Sequence, residues 1–259
     1  MNGTALKTRL ENKVKTLQIE PAIGKVTYIT ETTLPTINSS YVALTTNALG
    51  IISENLKNQP ISHQLFDVIK SPTGGTTAFT VPTMAGDEIQ KELTGIILDY
   101  NTPRAYWAST DPVEGTPPNC YSSDSLISNE GKPCVRCVYN EFGSKNGESN
   151  AKACKESVEI YLLRQDNIMP IIIRVPVTSK WIFQRYMTRL AGRLIPLYGV
   201  VTRITLEKTT SKAGQAYAQF NFEAINVLSP EETNNARVFG QKFTEILNVA
   251  DEQEIKDVV

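Results

Sequence analysis

Four cysteines are the residues best equipped for chemistry in this chain of 259 residues, and they stand together as C-x13-C-x2-C-x16-C: Cys120, Cys134, Cys137 and Cys154. In Cys134-Val-Arg-Cys137 a short turn can bring both sulfurs to one side, as two thiolates sharing a metal ion require. The two more distant thiolates would complete a tetrahedron. The flanking sequence is rich in turn formers: Pro117-Pro118-Asn119 before, Asn129-Glu130-Gly131-Lys132-Pro133 between, and Gly143-Ser144-Lys145-Asn146-Gly147 after. Such a loop has little apolar core, so a metal staple would hold what burial cannot. The spacing predicts one structural zinc per chain on Cys120, Cys134, Cys137 and Cys154, with an iron–sulfur cluster as the alternative. Four thiolates leave no open position for water, which argues against catalytic zinc. A redox pair is disfavoured as well, because a redox C-x-x-C opens a helix after a strand and this one sits in a polar loop.

Other chemistry has few parts to work with. His63 is the one histidine, so triads and multi-histidine metal sites lack their components. In the polar stretch 58–64 it reads as a surface or capping residue. Glycine loops that cradle phosphate and the H-E-x-x-H signature are missing. A metal-dependent nuclease needs an Asp and a Glu-x-Lys on adjacent strands. Glu130-Gly-Lys132 and Glu254-Ile-Lys256 have the local spacing, but one falls in the cysteine loop and the other in the C-terminal tail. The expectation is a protein that is not an enzyme.

Composition sets the frame in which the cysteines must be held. There are 26 Lys plus Arg against 27 Asp plus Glu, with 41% hydrophobic and 20% charged residues, a balance that fits a globular fold. No run approaches the roughly eighteen apolar residues of a membrane span. The N-terminus, with Lys7, Arg9, Lys13 and Lys15, lacks the apolar core of a signal peptide, so the expected location is cytoplasmic and no membrane partner is implied.

Along the chain, residues 1–38 read as a polar basic arm with a short strand at 26–32, and 39–92 as a helical segment interrupted by the break at 71–75. Strands follow. Residues 93–100 and 104–109 predict a hairpin around Asn101-Thr102-Pro103, with Trp107 buried and Tyr106 left outside beside Arg104. The cysteine loop occupies about 110–156. Residues 158–164 and 169–175 predict a second hairpin, and Thr178 or Ser179 caps a helix running to about 193. Two long strands, 198–208 and 215–227, come next. Ser229-Pro230-Glu231-Glu232 then opens a helix and acidic tail over 229–259. Stripped of the loop, this order predicts a mainly β (α+β overall) protein: an OB-like five-stranded barrel over 93–228 with flanking helices.

Such a barrel offers a curved face on which bases of a single strand stack on rings while cations follow the phosphates. Charge is segregated in the required sense. From 178 to 212 there are seven positive residues and one negative, whereas 213–259 holds three positive and eight negative. Alternation places Val200, Thr202, Ile204 and Leu206 inward with Ala218, Phe220, Phe222 and Ala224, which leaves Arg203 and Tyr217 outward. The nucleic-acid set predicted is Arg104, Tyr106, Arg203, Lys208, Lys212 and Tyr217, with Arg136, Tyr139, Phe142 and Lys145 lent by the cysteine loop. Arg185, Arg189 and Arg193 recur every four residues and read as a solvated helix face.

Asn119-Cys-Tyr-Ser-Ser, Cys134-x-x-Cys137-x-Tyr-Asn-x-Phe-Gly-Ser144, Lys152-Ala-Cys-Lys155 and Tyr198-Gly-Val-Val-Thr-x-Ile-Thr-Leu-x-Lys208 resemble a family of bacteriophage and integrative-element proteins. The likeness covers most of 69–232. More remotely the chain is similar to phage single-stranded DNA-binding proteins with an OB barrel and an acidic C-terminus. The resemblance implies sequence-nonspecific binding of single-stranded DNA in replication or recombination, inside a bacterial host cell. The acidic tail itself reads as a solubilising end or, functionally, as a segment that competes with DNA for the basic face or recruits replication or recombination proteins, and a homo-oligomer is compatible with the sequence. The cysteine insertion and the segment before the barrel depart from that second pattern. The competing readings are the nuclease above and a protein-interaction module that inhibits host defence.

Overall fold

The computed structural model describes residues 51–257, apart from 53, 58, 60–64, 110–115, 146–149, 166 and 212–213, with side chains to residue 244. The arm 1–38, the helix expected from 39, His63 and Lys212 lie outside the described residues. The chain is mainly β, with a curled sheet in the form of a half-barrel.

The most apolar segments become the central strands. β4 (Glu92–Asn101), β7 (Lys155–Leu163) and β8 (Ile171–Pro176) carry near-continuous buried runs, as strands do when both faces are covered. Their sheet has the order β1-β8-β7-β4-β9-β10, with β1 (Val68–Ile69) parallel to β8, and with β9 (Val200–Thr210) and β10 (Ala216–Val227) antiparallel. Helix α1 (Val177–Ala191) packs Phe183, Tyr186 and Leu190 onto one face with Ile97, Ile160, Ile204 and Phe220. Helix α2 (Pro230–Asp257) packs Ala236, Phe239 and Phe243 onto the other with Ile96, Leu98, Ile172 and Val201. Gly95 lies where a Cβ would come within 2.4 Å of the Leu163 carbonyl oxygen, so only glycine lets β4 and β7 approach there.

Several expectations hold. The hairpin β7–β8 forms, α1 falls between β8 and β9, and the inward set of β9 is buried as alternation requires. Ser229 and Glu232 close a reciprocal cap, each backbone N–H donating to the other's side chain.

Other expectations are corrected. Eight strands, not five, belong to the main sheet. The segment 79–90 is a hairpin of β2 (Phe79–Thr83) and β3 (Gly86–Gln90) rather than helix; Phe79 and Val81 alternate into the core. Residues 93–100 and 104–109 make no hairpin. Asn101 lies opposite Glu159 and Arg104 opposite Glu156, so β5 (Arg104–Tyr106) continues β4 along β7. Pro103 has no N–H to donate, but its carbonyl accepts from Ser157, and the strand is interrupted without turning back. Trp107 is half-buried, with its indole N–H on the Thr116 carbonyl. Ser179 does not cap α1, which begins after Pro176. Its buried hydroxyl instead accepts the Phe220 backbone N–H at 3.0 Å and ties helix to sheet.

Candidate functional site

Beyond Pro103 the chain builds a small module on the end of β7. β5 pairs with β6 (Cys120–Ser122), setting Tyr106 opposite Cys120 and Arg104 opposite Ser122. Cys134–Arg136 and Val138–Asn140 form consecutive 3-10 turns, with the Cys137 N–H on the Cys134 carbonyl. Cys154 immediately precedes β7 and donates its N–H to Tyr139. Asn140 braces these pieces: its amide donates to the Cys134 carbonyl, while its oxygen accepts from Arg104 and Lys152. Asp124 accepts the Leu126 and Ile127 N–H groups and the Ser122 hydroxyl, which hold its carboxyl below the usual range.

The outcome is a cavity of about 310 Å³ lined by all four cysteines together with Arg104 and Tyr139. All four are free thiols. Burial is the main force raising the thiols of Cys120 and Cys154, with the Arg104 charge pulling the latter partly back. These two are protonated near neutrality, unlike the thiolates of reactive cysteines. Among the described residues, no three His, Cys, Asp or Glu side chains are already closed up around a metal position.

The expected nucleic-acid residues fall into two groups, with β7 and β4 between them in the sheet order. At the module, Arg104 is largely buried, bonding Asn140 and pairing with Glu156 at 2.7 Å. Tyr106 stacks on Tyr139 with centroids 3.9 Å apart. Arg136 is exposed and Lys145 half-buried. On β9–β10, Arg203 pairs with Glu223 at 2.5 Å, and that carboxylate, with help from Glu92, strengthens the hold on its proton. Lys208 is exposed and Tyr217 half-buried, opposite Thr209. Two of the three arginines in the expected set, Arg104 and Arg203, thus already have carboxylate partners.

Two further features bear on binding, and the second of them escapes the sequence reading. Phe142 is exposed, with the Lys152 ammonium 4.6 Å from its ring centre. Trp181 on α1 is 49% exposed and lies under the Arg185 guanidinium at 5.1 Å. The signal for the second was a tryptophan four residues before the arginine series, one helical turn away. As for the nuclease motifs, Glu130 and Lys132 pair with each other in a turn, and Glu254 and Lys256 lie on α2.

Among the described residues no helix is long and apolar enough to cross a membrane. Comparison with known proteins gives no match to a family model, a curated protein or a solved structure.

Proposed function

We propose that this chain is a non-catalytic protein that binds single-stranded DNA without sequence preference. The observation carrying the reading is the outer face of α1. Trp181 keeps its ring in solvent beneath Arg185, and Arg189 and Arg193 continue the line, all three arginines exposed. A half-exposed indole costs apolar hydration unless something stacks on it, and every base offers a flat face. The arginines supply phosphate contacts one turn apart.

The stripe begins one residue after Lys180, which pairs with Glu156, the partner of Arg104 at the cysteine cavity. Helix and module therefore share an anchor, and exposed Phe142, Tyr139 and Arg136 extend the set of rings and cations beyond the helix. An OB-like description of the curled sheet belongs to the same proposal, α1 standing between β8 and β9 as the helix of an OB barrel stands between its third and fourth strands. The acidic run on the last turns of α2 is then a site for replication or recombination proteins.

Anisotropy of a fluorescent oligothymidylate over a salt series tests the reading. Affinity should fall as salt rises, and Arg185→Ala should reduce the logarithmic slope by about 0.7, one released counterion on a single strand. Trp181→Ala should cost about 1–3 kcal/mol of binding, the worth of one stacked base. Binding absent at low salt, or indifferent to salt, overturns the proposal.

A further inference from the structure

Among the described residues from 99 to 157, Cys134 is the one buried apolar side chain, whereas Leu126, Ile127, Val135, Val138 and Phe142 are exposed. Turns, hydrogen bonds and the Tyr106–Tyr139 stack shape the module, but among the described residues no large apolar side chain is buried in its middle. What fills that position instead is a cavity ringed by four sulfurs.

Arg104 supplies an independent observation at the same cavity. Its two terminal nitrogens are taken by Asn140 and Glu156. Its Nε–H is buried without a partner, the one such side-chain atom found among the described residues. A guanidinium donor shut away from water calls for an acceptor. Arg104 lies opposite Glu156 in the β5–β7 ladder, and Cys154, in the bend two residues before Glu156, lines the same cavity as Arg104. The Arg104 charge acts on the Cys154 thiol across that cavity, which puts the sulfur within reach of so long a side chain.

We propose that Cys120, Cys134, Cys137 and Cys154 bind one zinc ion as thiolates, and that the Nε–H of Arg104 donates to the Cys154 sulfur of that centre. The 3-10 turn at Cys134 supplies the two-residue knuckle of tetrathiolate zinc sites, and the other two sulfurs come from strand ends on either side of β5. Four thiolates and one Zn²⁺ leave a net charge of about −2, which a buried guanidinium at the cavity wall offsets. Glu156 holds both Arg104 and Lys180, so the same contact ties the metal centre to the first turn of α1. Binding draws together sulfurs that already share one cavity, and each thiol that becomes a zinc-bound thiolate releases its proton to solvent.

The test uses the full chain purified without chelator. Elemental analysis should find about one zinc per chain, and cobalt substitution should give tetrahedral bands with intense sulfur-to-metal charge transfer, lost in Cys134→Ser. Arg104→Met should weaken zinc about 10–100-fold in chelator competition. It should also move the charge-transfer band to lower energy, because a sulfur relieved of its hydrogen bond is a better donor. Glu156→Gln, which loosens the ion pair but keeps the Nε–H, should leave the band in place. If Arg104→Met fails to fold, Arg104→Lys carries the test: its ammonium is taken by Glu156 and the band should still shift. A chain holding no metal, or iron in place of zinc, overturns the site. Zinc bound with unchanged affinity and band in the Arg104 variants overturns the role of Arg104 and leaves the site standing.

Discussion

The sheet with its two helices and the cysteine module on its edge are held by different physics. In the first, Leu93, Ile97, Ile160, Leu162, Ile173, Ile204 and Phe220 are wholly removed from water and touch side chains from several elements. In the second, the longest hydrophobic side chains lie outside, and the order rests on Asn140, Asp124 and the paired turns around the knuckle. Burial of each large aliphatic side chain contributes roughly 1.5–3 kcal/mol, while a hydrogen bond exchanged with water nets about 1 kcal/mol. A region made of the latter alone stands near the edge of stability. The contrast gives the proposed zinc its physical reason: cross-linking by a metal would matter in the module, where apolar area is lacking, and not in the core.

The sharpest way to break that comparison is to remove the proposed metal. Structural zinc contributes about 10–16 kcal/mol in zinc-finger peptides, so chelation should abolish amide-exchange protection at Cys137, Asn140 and Cys154 while β7 and β8 keep theirs. Simultaneous loss in both regions would show that they form one cooperative unit. The converse perturbation is Phe220→Ala. That ring is fully buried beside Phe79 and Phe222, and its loss should cost about 3–5 kcal/mol in urea unfolding. Zinc stoichiometry of the folded protein should not change. A cost below about 1 kcal/mol would mean that the core tolerates a cavity there.

How much of this was legible depends on whether the signal was local. The alternation of β9, the pairing of β7 with β8, and the Ser229 cap are each written within a dozen or so residues, and each appears as read. The course of β4 into β5 was not, because Asn101-Thr102-Pro103 has the chemistry of a tight turn and only the distant β7 decides that the strand goes on. Arg104 looked like a surface cation for the same reason. Its partners Asn140 and Glu156 lie 36 and 52 residues away, and no pattern around position 104 announces them. Ser179 matched a helix cap by type, but Phe220 on β10 claims its hydroxyl. The cysteine spacing was the opposite case, since a two-residue gap restricts geometry wherever the rest of the chain goes.

A subtler probe of the core uses pH. Burial pushes the Tyr186 hydroxyl up to about 12, although its 2.7 Å hydrogen bond with Thr202 works in the other direction. In the unfolded chain the same group ionises near about 10. Its stabilising effect is therefore complete below about pH 10 and is lost as pH rises toward about 12, at roughly 1.4 kcal/mol per pH unit. Tyr186→Phe should remove that slope from the urea midpoint without altering metal content. A variant whose alkaline slope matches the parent would mean that the buried phenol is not responsible.

The smallest expected effect concerns the layer on the opposite face. Ser229 Oγ accepts the Glu232 N–H at 3.2 Å, and the Glu232 carboxylate accepts the Ser229 N–H at 2.9 Å, so two donors at the start of α2 are satisfied together. Ser229→Ala removes the first and should cost about 1 kcal/mol of global stability. The cap lies next to Leu228, which is buried with Val201, Ala236 and Phe239 and donates its N–H to the Gly199 carbonyl. Fraying of the helix start therefore loosens the apolar cover of the second face rather than a free end. Exchange should accelerate at Thr233, whose N–H bonds the Ser229 carbonyl, before it does at Phe220 beneath α1. Equal acceleration under both helices would show that the two faces of the sheet open as one; none at Thr233 would show that Leu228 alone holds the helix down.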